Sequence, residues 1–92
     1  MGTPALVIVK NEDNTFTHVR VNFDGYPSHM LGALETVTDE TILAAREIRF
    51  ISPEGEVEAY SDAQPPEIHD RPFREGYSYA YARDEDGAWV EI

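Results

Sequence analysis

The feature that most constrains the fold is an uninterrupted apolar run, Ala5-Leu6-Val7-Ile8-Val9, between Pro4 and the polar cluster at 11–14. Five residues is the length of a short strand, and flanking turn residues favour a strand over a helix. Because every position in the run is apolar, both faces of that strand need to be covered. The run therefore predicts a central strand buried on both sides.

Alternating segments separated by turn residues account for much of the remaining chain. Apolar and polar residues that alternate with a period of two indicate strands with one buried face. Each pair of such segments is joined by a short polar or Pro/Gly-containing turn, which is typical of an antiparallel hairpin. The three predicted hairpins join 5–9 to 16–23, 46–52 to 56–61, and 77–82 to 88–92.

A turn and two helical segments lie between the first two hairpins. In Asp24-Gly25-Tyr26-Pro27 the glycine permits a tight backbone turn and the proline is suited to the first position of a helix. Apolar residues at helical spacing follow over 30–34, and Thr38 is a good N-cap for a second helix ending near Arg46. One or two short helices are expected here.

The segment 62–76 contains three prolines and Gly76, and it predicts a loop without a regular element. Taken together, these patterns predict a single α+β domain over 1–92. Its expected architecture is an antiparallel sheet of about six strands with one or two short helices on one face.

The charge balance bears on the choice of partner. Eighteen acidic residues oppose seven basic ones, which gives a net charge of −11, and two thirds of the acids lie in the second half of the chain. Such a surface repels nucleic-acid phosphates and anionic membranes and attracts basic protein surfaces. The sequence therefore predicts that the protein binds neither nucleic acid directly nor a membrane. Solubility alone is the competing explanation for the charge.

The sequence offers little that is typical of a catalytic or cofactor site. It has no cysteine, and His18, His29 and His69 share no metal-ligand spacing. No phosphate-binding glycine loop or nucleophile-elbow motif is present. We therefore expect no catalytic residues, no metal and no cofactor. The absence of cysteine and of a signal-peptide pattern at the N-terminus favours a reducing cytoplasm.

Two groups of residues are candidates for partner binding. Tyr77, Tyr79 and Tyr81 alternate along one predicted strand and form either an exposed aromatic platform or a layer packed under a helix. Tyr60 or Trp89 of a neighbouring strand would extend this stripe. The acidic group includes the predicted β-hairpin around residue 55, where glutamates two positions apart project about 6.7 Å apart, close to twice the phosphate rise of one DNA strand. The acidic candidates are Glu54, Glu56, Glu58, Asp84, Glu85 and Asp86.

Two segments resemble a group of small uncharacterised bacteriophage and prophage proteins. These have an aromatic residue before Asp-Gly-Tyr-Pro, as in residues 23–27, followed by Gly-x-x-Leu on the helix, where this chain has Gly32-Ala33-Leu34. They also have a C-terminal hairpin similar to residues 77–89, with Tyr-x-Tyr and Gly-x-Trp. The resemblance covers about a third of the chain. It implies structural roles for the shared residues, such as close helix packing at Gly32 and a core position for Trp89, and it implies a phage setting.

These observations predict a non-enzymatic, acidic phage-type accessory protein in the cytoplasm of a bacterial host. It would bind and inhibit or redirect a host protein with a basic surface by imitating nucleic-acid phosphates. Two alternatives stay open: a module that binds a nucleotide-like small ligand on the tyrosine platform and the Asp24–His29 corner, and a structural or assembly component. The oligomeric state is open.

Overall fold

The computed structural model describes residues 3–92, which form seven strands and two helices. In chain order these are β1 (Ala5–Lys10), β2 (Phe16–Val21), α1 (Pro27–Thr36), α2 (Asp39–Ala44), β3 (Ile48–Ile51), β4 (Val57–Ala59), β5 (Glu67–His69), β6 (Tyr79–Arg83) and β7 (Trp89–Glu91). The apolar run is confirmed as a central strand: β1 has neighbours on both sides, and Ala5 to Val9 are all buried.

The seven strands form one mixed sheet in the order β4-β3-β2-β1-β6-β7, with β5 also paired to β2. The three predicted hairpins are confirmed as antiparallel pairs. The prediction of a purely antiparallel sheet was wrong, because β1 pairs with β6 and β2 with β3 in parallel. Parallel neighbours require a long crossover, and the helices α1 and α2 provide the one from β2 to β3.

The main core lies between the sheet and the two helices. The helices bury four apolar side chains, and the cap residues Val37 and Ala45, against alternate positions of the central strands. Val7 of β1 and Val19 of β2 are opposite each other in this layer, and both are fully buried. The helices therefore cover one face of the sheet, as the amphipathic spacing predicts.

The opposite face of the sheet carries a smaller apolar cluster, in which Leu6 and Ile8 of β1 contact Ala80 and Ala82 of β6, with Phe16 and Tyr77 packed beside them. His18 lies on this face, directly across from Ile8. The prediction that 62–76 holds no regular element was wrong, because β5 lies within it. A strand of three residues between prolines has too little pattern to be recognised, and it forms because its backbone pairs with β2.

The β3–β4 hairpin departs from simple alternation. A register shift between Ile48 and Phe50 lets Ile48 and Ile51 both face the main core, although they are three residues apart. A cross-strand ion pair joins the two strands, with 2.9 Å between Arg49 Nη1 and Glu58 Oε2. The turn lies against the end of α1, where the Thr36 hydroxyl shares its hydrogen between the Ala33 carbonyl oxygen at 2.9 Å and the Pro53 carbonyl oxygen at 3.2 Å.

The predicted turn and the predicted start of the helix are both present, but the residue with the unusual backbone conformation is not the glycine. Pro27 begins α1 as expected. The left-handed backbone conformation belongs to Asp24, with φ +57°, and not to Gly25. Gly25 is buried against the start of β1, and its N–H donates to the Thr3 carbonyl oxygen at 2.8 Å. A glycine is needed at position 25 because its backbone lies close to the backbone at Thr3 and leaves no room for a side chain.

The helices are short: α1 has ten residues and α2 has six. None of the helices within residues 3–92 has the length and apolar character needed to cross a membrane.

Candidate functional site

The predicted tyrosine stripe is not a single surface. Tyr81 is fully buried in the main core, and half-buried Tyr79 packs against the same core. Tyr77 precedes β6 and packs against the apolar cluster on the opposite face. The alternation fails because β6 begins only at Tyr79, after two residues, Glu75 and Gly76, with positive φ. These tyrosines therefore do not form an exposed platform.

The hydroxyl of Tyr81 has a structural role. It donates to the Gly25 carbonyl oxygen at 2.5 Å inside the protein. Burial raises the pKa of Tyr81 well above that of a free phenol, with smaller contributions from Glu91 and Tyr79. The hydrogen bond therefore ties β6 to the turn that precedes α1.

Replacing Tyr81 with phenylalanine is expected to lower the free energy of unfolding by about 1–3 kcal/mol, because the Gly25 carbonyl loses its buried donor. The raised pKa adds a pH dependence. Above pH ~10 the unfolded phenol ionises while the folded one does not, so stability falls as pH rises. Urea unfolding between pH 9 and 11 should show a steeper loss for the wild type than for Tyr81→Phe. Tyr79→Phe, the control, should match the wild type at pH 7.

The acidic hairpin is exposed along its outer edge. Glu58 lies in β4, which is an edge strand. Glu56 directly precedes that strand, and Glu54 is in the turn before it. β4 begins at Val57, so only Glu58 of the three glutamates lies in the strand, and the regular spacing predicted for them is not maintained. Glu58 is paired with Arg49, whereas Glu54 and Glu56 form no ion pair among residues 3–92. Half-buried Tyr60 follows directly after β4.

The second acidic segment lies at the other end of the sheet. Asp84, Glu85 and Asp86 are exposed in the β6–β7 turn, and β7 is the edge strand opposite β4. Five strand spacings separate the two edges, which is about 24 Å. Asp84 also holds its own turn, since its carboxylate accepts from the N–H groups of Asp86 and Ala88. The two acidic segments therefore do not form one continuous track.

A third group, which the sequence analysis did not single out, lies under the segment that contains β5. The imidazole of His18 is fully buried, with 0% of its side chain exposed. Its Nδ1 is 2.5 Å from Glu75 Oε2, and its Nε2 is 3.2 Å from the Arg71 carbonyl oxygen. Both ring nitrogens thus face oxygen acceptors.

His69 completes this group. Its Nε2 lies 3.5 Å from Glu75 Oε2 and 3.0 Å from Glu67 Oε1. The two imidazole rings are 4.4 Å apart between centroids, and the Phe73 ring packs against both at about 5 Å. Ligand atoms of His18, His69 and Glu75 all lie within 4.8 Å of one another. Imidazole and carboxylate groups at this separation can share a proton or bind a metal ion.

Sequence spacing could not reveal this group, because His18 is 51 positions from His69. The antiparallel pairing of β5 with β2 places Glu67 across from His18 and His69 across from Phe16. Side chains of directly opposed residues lie on the same face of a sheet. The only local signal was the i, i+2 spacing of Glu67 and His69, which lies in a segment interpreted as a loop.

Comparison with protein-family models, with curated proteins and with solved structures gives no significant match to this chain.

Proposed function

We propose that this protein acts without catalysis, by binding a protein partner that has a basic surface, and that the β3–β4 hairpin makes the contact. The observation that carries the proposal is the pair of exposed carboxylates, Glu54 and Glu56, on a hairpin held in place by its own backbone. The Ser52 hydroxyl accepts from the Glu56 N–H at 3.0 Å, and the turn is fastened to Thr36 of α1. Unpaired charges of one sign speed association with oppositely charged partners and disfavour partners of like charge.

The phage setting and a host protein as target belong to the same proposal, and they rest on the resemblance of the two segments described above. A more specific version of the proposal is that the hairpin carboxylates imitate nucleic-acid phosphates. This version depends on the hairpin alone, since the acidic β6–β7 turn lies at the opposite edge of the sheet. The partner's basic groove would then meet Glu56 and the turn, with Tyr60 at the end of β4.

Two double variants that have the same net charge test the contact. Glu54→Gln with Glu56→Gln removes two charges from the hairpin, and Glu85→Gln with Asp86→Gln removes two from the opposite edge. With a partner captured from bacterial lysate, we expect the hairpin variant to associate about tenfold more slowly and the second variant to match the wild type. Binding should weaken steeply as the salt concentration rises from about 50 to about 300 mM, because added salt screens exposed charges.

The outcomes separate the parts of the proposal. Equal losses in both variants would mean that only net charge matters, and no loss in either would refute the hairpin contact. Competition by duplex DNA for the partner supports imitation of phosphates. Binding that survives a tenfold excess of DNA would refute imitation while leaving the hairpin contact intact.

A further inference from the structure

We propose that His18, His69 and Glu75 form a binding site for one divalent transition-metal ion of the zinc class. This site is separate from the acidic hairpin. It lies on the face of the sheet that the helices do not cover, and its three ligands come from β2, β5 and the segment before β6.

The hydrogen bonds around His18 indicate that a cation belongs between its ring and Glu75. The Arg71 carbonyl oxygen can only accept, so the Nε2 of His18 must carry a hydrogen and donate to it. In a neutral imidazole the Nδ1 lone pair then points at the Glu75 carboxylate, which is also an acceptor. Two acceptors 2.5 Å apart repel each other unless a proton or a metal ion lies between them.

The same arrangement is the one that prepares a histidine to bind metal. Metal-binding histidines usually donate their second ring N–H to a carboxylate or backbone carbonyl, which fixes the tautomer and the ring orientation. The Arg71 carbonyl does this for His18. Phe73 packs against both imidazole rings and restricts their rotation, which lowers the entropic cost of holding them together.

The ligand atoms are close enough to surround one tetrahedral ion once their side chains adjust. Ligand atoms about 2.0–2.1 Å from zinc at tetrahedral angles lie roughly 3.4 Å apart. His69 Nε2 and Glu75 Oε2 are already 3.5 Å apart, whereas His18 Nδ1 and Glu75 Oε2, at 2.5 Å, must separate. A rotation of the Glu75 side chain, which is 20% exposed, can widen that separation. The two imidazole nitrogens lie within 4.8 Å of each other, and a movement of the His69 ring would set their separation. Glu67 Oε1, 3.0 Å from His69 Nε2, or a water supplies the fourth ligand.

The donor set selects the kind of metal. Two imidazoles with one carboxylate match zinc and its neighbours, whereas magnesium and calcium prefer oxygen ligands alone. An open cavity of about 170 Å³ reaches two of the three ligands, His18 and Glu75, and also Glu67. A bound ion would fasten β5 and the chain up to Glu75 onto β2.

The test measures zinc binding to the full chain by competition with a chromophoric chelator. We expect one zinc ion per chain with a dissociation constant below about 1 μM. Loss of an outer partner typically weakens metal binding 10–100-fold, so His69→Gln or Glu75→Gln, which removes a direct ligand, should weaken it at least about 100-fold. His29→Gln is the matched control, since His29 lies outside the group and should leave the affinity unchanged.

Two further readouts keep the test decisive if a variant is less stable. In the wild-type protein, zinc should shift the NMR signals of the His18 and His69 ring nitrogens and leave those of His29 in place. It should also raise the melting temperature, whereas magnesium should not. Weak, non-stoichiometric zinc binding that the His69 and Glu75 variants share would overturn the proposal, and a proton would then be the cation between His18 and Glu75.

Discussion

Replacement of Gly25 by alanine is expected to lower the free energy of unfolding by about 3 kcal/mol or more, which is a large share of the total for a domain of this size. A Cβ atom at this position would lie 2.3 Å from the Thr3 carbonyl oxygen and 2.7 Å from the Ala5 Cβ. Ala5 is fully buried in the central strand, so the strand cannot move aside without disturbing the core. Urea unfolding followed by circular dichroism measures the loss.

Gly32→Ala is the matched control, and it should have the opposite sign. Gly32 is exposed in the middle of α1, and nothing lies within 4 Å of where its Cβ would be. The expectation of close helix packing at Gly32 was therefore wrong. Alanine there should raise stability by about 0.5–1 kcal/mol through helix propensity. Equal effects of the two substitutions would contradict the close approach of Gly25 to β1.

Truncation of Ile42 to alanine should cost about 2–5 kcal/mol. Ile42 is fully buried and is the buried residue of α2. This six-residue helix contacts β1 and β2. Without that side chain the helix loses its main attachment to the sheet, and a cavity remains in the core. The expected result is a lower urea midpoint with a cooperative transition.

Leu43→Ala, one position along the same helix, provides the comparison. Leu43 is 40% exposed, so its truncation should change the free energy of unfolding by less than about 0.5 kcal/mol. Comparable losses for Ile42→Ala and Leu43→Ala would mean that α2 packs with a different face toward the sheet than the structure shows.

The sequence by itself determined the local elements. The apolar run at 5–9 became the central strand, Thr38 caps α2 by accepting from the Thr41 N–H, and the β6–β7 hairpin turns where its acidic and glycine residues predict. These elements depend on side-chain periodicity and on turn and cap residues, which act over a few positions. Trp89, for which the resemblance implied a core position, is buried.

Only the tertiary structure decided how those elements associate. Nothing local distinguishes a parallel from an antiparallel neighbour of β1, because the pattern of one strand does not name its partner. The placement of β5 beside β2 depends on backbone hydrogen bonds, which any sequence without proline at those positions can make. That pairing brings His18 together with His69 and Glu75, which lie more than fifty positions further along the chain, so no local pattern could reveal the group.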